Sequence, residues 1–303
     1  MSDIWSLLKT VNDALKPHFL CVPPYRCVTG KYLSEINESI SAGKNPSLQV
    51  RGSINLPWQR AYQFEYRYKK CKIFGPFMPA IEYATYDAME GNWICAYLSF
   101  LAVVEAVLRK WADEQSLAFE RMKGIAPALI KHMQAQQYFS DERIALTNGY
   151  IDYLQYILCD VLYEGFDGYK LKSFSEIFNR NLSLHKLEGV MDIAEGLTNV
   201  TRIMLVLDII AELYFMQNPQ DYWSTTFHAD PENNVNFQLR WKLYTKHSML
   251  AIGPNDRLII QNALLNCVDD STKKATTAKL DLEIKLLSGK ITTGEKQNGK
   301  EKS

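Results

Sequence analysis

The sequence has no excess charge of either sign, no clustered cysteines, no phosphate-binding glycine loop and no long apolar run free of charge. Lysine plus arginine and aspartate plus glutamate each number 34, so the net charge is zero. That balance excludes a bulk electrostatic pull toward nucleic acid, and any such contact must rest on a local patch. The six cysteines (Cys21, Cys27, Cys71, Cys95, Cys159 and Cys267) are scattered and form no CxxC pair. A disulfide scaffold would be shorter and denser in cysteine, so free thiols in a reducing compartment are expected. The histidines are equally dispersed, with no HExxH or paired-carboxylate signature, so neither metal nor cofactor is expected. The absence of a P-loop, a Rossmann glycine pattern and a G-x-S-x-G elbow argues against nucleotide hydrolases and serine esterases.

Membrane signals are missing too. The N-terminus lacks a basic segment leading into an apolar signal core. Trp93 to Leu108 carries Glu105, and Val200 to Met216 carries Arg202, Asp208 and Glu212. A membrane span needs ~20 residues with few or no charges, so both stretches are expected to be buried helices of a cytoplasmic protein with no membrane contact.

What is present suits a globular fold. The chain has 303 residues, of which 47% are hydrophobic and 22% charged, enough to bury a sizeable core. Residues 1–85 hold most of the prolines and predict a mixed, turn-rich, partly extended region. Ile4, Leu7, Leu8, Val11 and Leu15 mark one short helix there, stopped at Pro17. Tyr62 to Tyr68 alternates aromatic and polar residues among Arg60, Arg67, Lys69, Lys70 and Lys72. The alternation predicts a half-exposed strand, an aromatic helix being the other reading. Aromatic and basic side chains on one surface would suit contact with RNA or a partner.

Residues 86–217 predict a helical bundle. Trp93 to Trp111 has the apolar density of a helix buried nearly all round. Further helices are predicted at about 115–137, broken or kinked near Gly124 and Pro127, at 141–163 and at 192–216. Ser173-Phe174-Ser175-Glu176 is a capping box opening a short helix that must end by Gly189. Residues 218–270 predict one or two further helices, split near Gly253-Pro254. Residues 271–303 predict a largely disordered tail, apart from a small helix at Leu280 to Leu287.

The short capped helix contains Arg180 and His185. A histidine of near-neutral pKa can take and return the proton of a ribose 2′-OH, and a guanidinium can hold the phosphate and offset transition-state charge. Asn181 can add a neutral orienting hydrogen bond. Spacing alone does not select this pair, an R-x4-H arrangement, because Arg240 and His247 form a comparable R-x6-H. That second pair lies in a Trp/Lys/Tyr-rich helix and predicts surface positions. Asp208 and Glu212 share a helix face at i, i+4 and predict a partner for Arg202 or a solvated edge. His18, His132 and His228 lack neighbours that suggest a site.

The flanking sequence distinguishes Arg180 and His185. Phe178-Asn179-Arg180-Asn181-x-x-Leu184-His185 is followed by Asn199-x-x-Arg202 and then Leu207-Asp208 on an apolar helix. This resembles the HEPN superfamily, especially its abortive-infection and defence branch, in which an NR-polar-x-x-LHG motif precedes a helix bearing N-x-x-R-x-x-x-x-LD. Leu101 to Arg109 resembles the first helix of that domain, and the likeness covers about residues 90–216. Lys186 stands where the family commonly has glycine. The resemblance implies a mainly α fold built on a HEPN-like four-helix bundle. It also implies a metal-independent endoribonuclease of defence or toxin-like growth arrest, with Arg180 and His185 catalytic and Asn181 assisting. RNA would be the substrate, with a homodimer or larger complex and a regulatory partner protein as company. The other reading is a catalytically inactive HEPN-like module that binds RNA or protein.

Overall fold

The computed structural model describes residues 2–25, 30–118, 122–135, 141–163, 178, 193–217, 230–249 and 269–290. Among the described residues the secondary structure is helical and holds no strand. The elements are α1 (Ser2–Leu15), α2 (Gly30–Ser41), α3 (Ser47–Ile54), α4 (Pro57–Tyr66), α5 (Met78–Glu90) and α6 (Trp93–Glu114). They continue with α7 (Met122–Ala135), α8 (Asp141–Gln155), α9 (Ile193–Gln217), α10 (Val235–Met249) and α11 (Asp270–Leu287). A π-helical segment, Tyr156–Leu162, continues α8.

The long apolar stretches fold as expected. Trp93–Glu114 and Ile193–Gln217 are the two longest helices among the described residues and lie side by side, with Val103, Val104, Val107, Leu108 and Trp111 buried on one and Ile203, Leu207 and Ile210 on the other. Around them α6, α7, α8 and α9 pack in cyclic order, each touching the next and α9 returning to α6. No helix among the described residues is long and apolar enough to cross a membrane. The described cysteines Cys21, Cys71, Cys95 and Cys159 are free thiols.

The N-terminal region departs from expectation. Residues 62–68 are not a strand: they lie in α4 and the 3-10 turn Tyr68–Lys70 after it. Pro57 opens α4 at a position where its missing N–H costs nothing. The helix is buried on opposite flanks, one against α9 through its charged side chains and one against α10, so the 3.6-residue period is masked. The described parts of residues 1–85 are therefore mainly helices and turns, and Val11, Leu33, Val50, Phe64 and Phe74 join the same core as α6 and α9.

Two other boundaries move. Pro127, expected to break or kink a helix, does not end it and sits inside α7, near its start. The helix expected at Leu280 to Leu287 is present but longer: residues 271–279, expected to be disordered, belong to it as well, and the whole of α11 is capped by the Asp269 carboxylate accepting from the Thr272 N–H at 3.0 Å. It packs along α10 with Leu280 buried between them.

Candidate functional site

Arg180, Asn181 and His185 lie outside the described residues, as do the capping box and Lys186. The nearest described residue in sequence is Phe178, and it is fully buried. Its ring lies 6.1 Å from Phe19 and 6.0 Å from Tyr97 of α6. The Arg202 guanidinium stands over it at 5.6 Å, and over Phe19 at 4.8 Å.

Arg202 is itself held from two sides. Its Nε donates to the His18 carbonyl at 3.0 Å and its Nη1 to Asn199 Oδ1 at 2.8 Å. Asn199 and Arg202 are one turn apart on α9, so their side chains meet on one face. Neighbouring positions tie the start of α9 to α3 and its end: Arg51 donates to the Thr198 hydroxyl, and Asn55 Nδ2 to Thr201 Oγ1 at 2.6 Å. Burial and then the positive charges of Arg202 and Arg51 hold the His18 imidazole below its ordinary range. The first half of α9 thus carries one guanidinium, Arg202, over the Phe178 ring, held there by Asn199 and the His18 carbonyl, and receives a second, Arg51, at Thr198.

A second set of charges is buried deeper. Arg60 of α4 makes a bidentate pair with Asp208 of α9, Nη2–Oδ2 at 2.6 Å and Nη1–Oδ1 at 3.2 Å. The Tyr25 hydroxyl accepts from Arg60 at 3.0 Å, and the Tyr68 hydroxyl donates to Asp208. Burial, with the Asp208 charge beside them, pushes both tyrosine hydroxyls well above their ordinary range. One turn on, Glu212 pairs with Arg67 at 3.6 Å. Asp208 and Glu212 are therefore neither a solvated edge nor the partners of Arg202; the cations they meet, Arg60 and Arg67, come from α4 and the residue after it.

Arg240 and His247, expected on the surface, are buried. Arg240 lies between Glu65, at 3.0 Å, and Glu82, with its guanidinium 3.6 Å over the Phe64 ring. Tyr244 donates to Glu82 at 3.0 Å, and burial pushes its hydroxyl up to about 12. His247 Nδ1 meets Glu90 at 2.7 Å, and its ring stacks on Tyr86 at 4.6 Å. The physical reason is the row of carboxylates on α4 and α5, which receives the basic face of α10.

This second set is closed. Among the described residues each of these carboxylates faces a basic side chain of the fold. Its chemistry is that of a helix lock. The sequence signal for it was a pair of carboxylates on an apolar helix, which demands two cations elsewhere, and Arg60 and Arg67 are spaced two turns apart to supply them. Among the described residues, no group of three or more His, Cys, Asp or Glu is placed to hold a metal. No protein-family model, curated protein or solved structure matches this chain.

Proposed function

We propose that the chain is a metal-independent endoribonuclease of HEPN type, acting as a homodimer or within a larger complex in defence or toxin-like growth arrest. The observation that carries this reading is the sequence Asn179-Arg180-Asn181-x-x-Leu184-His185 followed by a helix bearing Asn199, Arg202 and Asp208. Three features of the fold support it. Residues 193–217 form one uninterrupted helix; Asn199 and Arg202 on that helix are bonded to each other; and Arg202 lies over Phe178, two residues before Arg180 in sequence. The cyclic packing of α6, α7, α8 and α9 also suits a four-helix bundle.

In this reading His185 takes the proton of a ribose 2′-OH, whose oxygen attacks the adjacent phosphorus. The bond to the 5′-oxygen breaks, that oxygen takes up a proton, and a 2′,3′-cyclic phosphate is left. Arg180 offsets the charge that builds on the phosphoryl oxygens, and Asn181 orients the phosphate or the imidazole. The test is RNA cleavage by the purified chain in EDTA, beside Arg180→Ala and His185→Ala. Cleavage by the parent and its loss in both variants is the expected outcome. Equal cleavage by all three overturns the assignment.

A second reading is favoured by Lys186 in place of the usual glycine and by the zero net charge: a catalytically inactive module of the same fold that binds RNA or a partner protein. Retained RNA binding with no cleavage by the parent chain selects it over the first.

A further inference from the structure

Between α1 and the α8–π helix lies a cleft of about 370 Å3. That is toward the lower end of the ~300–1,000 Å3 range of small-molecule sites. Its walls join the rings of Trp5, Tyr153 and Tyr156 to the polar groups of Asn12, Lys16 and Asp152. Tyr156 is the first residue of the π-helical segment, a distortion found mostly at functional positions. The Lys16 ammonium stands 4.7 Å over the Tyr156 ring. The Asn12 carbonyl accepts from the Val22 N–H at 2.8 Å, which fixes the amide and leaves its NH2 for a ligand. The Tyr153 hydroxyl is anchored on the Phe19 carbonyl at 3.1 Å, which sets its ring in the wall.

Gly149 is a further cue. It lies within α8, where glycine weakens a helix, and it lines the cleft. No atom stands within 4 Å of the position a Cβ would take. Packing therefore does not require glycine there, and a side chain at 149 would occupy open space in the lining of the cleft.

Stacked rings run from the cleft to Phe178, two residues before Arg180 in sequence. Tyr156 lies 6.2 Å from Phe19, and Phe19 lies 6.1 Å from Phe178, with Arg202 over both phenylalanines. We propose that this cleft is a nucleotide subsite, taking a nucleobase against its aromatic wall and the attached phosphate on Lys16. Every base presents a π-face for stacking, and the Asn12 amide and Asp152 carboxylate supply a donor and an acceptor for its edge. The choice of a nucleotide over another planar anion rests on the ribonuclease reading.

The test uses the full chain carrying His185→Ala, so that binding is measured without cleavage. Calorimetric titration with the four 5′-mononucleotides, a short single-stranded oligoribonucleotide and inorganic phosphate gives the probes. Binding of at least one nucleotide probe is expected, weakened at least tenfold by Gly149→Leu, which fills the cleft while favouring the helix. Lys16→Ala, at an exposed position, is expected to weaken binding less. Thermal unfolding of both variants checks that they fold. Mononucleotide binding identifies a free nucleotide as sufficient, and binding of the oligonucleotide alone identifies a strand. No binding by any nucleotide probe, equal binding by Gly149→Leu, or equal competition by inorganic phosphate overturns the subsite. Cleavage assayed with His185 intact separates the two ideas: binding without cleavage leaves the subsite standing and removes the ribonuclease, and the reverse outcome removes the subsite alone.

Discussion

Helix α9 meets α6 mainly through aliphatic side chains and an edge-on ring pair, Trp111 and Tyr214 at 5.9 Å, whereas α4 meets α9 and α10 through ion pairs shut away from water, beside the rings of Trp58 and Tyr66 packed on Phe237 of α10. The first seam draws on the hydrophobic effect, about 1.5–3 kcal/mol for each large side chain buried, and tolerates many equivalent packings. The second gains less per contact, since taking each ion out of water costs several kcal/mol before its partner offsets the loss. What ion pairs add is discrimination. Arg60 must meet Asp208 while Glu65 meets Arg240, and a rotation or slide of α4 would strand four charges at once. The apolar seam makes the fold compact; the ionic seam allows α4 a single register.

The largest expected effect breaks the ionic seam. Among the described residues, Arg240→Ala leaves Glu82 buried with the Tyr244 hydroxyl for a partner but no cation beside it, and Glu65 with Lys69 alone, and should cost about 3–5 kcal/mol, read as a lower urea midpoint. Adding Glu82→Gln to the same chain should recover part of that loss, because one of the stranded charges is gone. A cost under about 1 kcal/mol for the single variant would mean that α10 can pull away and solvate its arginine, and the contrast between the seams would collapse. The matching probe of the apolar seam is Ile210→Val, on the α9 flank that also carries Tyr214. It removes one methylene and should cost about 0.5–1.5 kcal/mol, with the same loss at neutral and acidic pH.

The two seams also differ in how plainly the sequence announced them. Trp93 to Trp111 and Val200 to Met216 show apolar residues on nearly every face, and a helix buried all round is the direct reading of that pattern. Periodicity could not reveal α4, because Gln59, Arg60, Gln63, Glu65 and Arg67 are buried together with Phe64 and Tyr66, so polar no longer means outward. The same failure hid Arg240 and His247, whose burial depends on carboxylates about 160 residues away, at Glu82 and Glu90. The first half of helix α11, residues 271–279, was hidden for a different reason. Its Lys- and Thr-rich composition is that of a solvated tail, and the helix holds together through the Asp269 cap and a few contacts to α10, Leu280 and the Lys246–Glu283 pair among them. The motif at Arg180 is a reading of residue order rather than of burial, and it lies outside the described residues.

The smallest effect is a slope rather than a midpoint, and it separates the seams by pH. Burial pushes the Glu65 carboxyl up, but Arg240 and Lys69 together outweigh it, and the net pKa lies below the ordinary 4.5. A carboxyl whose folded pKa is depressed binds protons more weakly in the folded state than in the unfolded one. Its contribution is therefore fully present above about pH 4.5 and is lost as pH falls through the lower, folded value. Stability measured by urea titration should be flat from pH 7 to 5 as far as this group is concerned, then decline toward pH 3. Glu65→Gln should lower stability at pH 7 and flatten that decline, since the glutamine has no proton to take up. In Ile210→Val the decline should run parallel to the parent's. If Glu65→Gln leaves the acid slope unchanged, the acid sensitivity belongs to other carboxylates, and the ion pair with Arg240 acts by geometry alone.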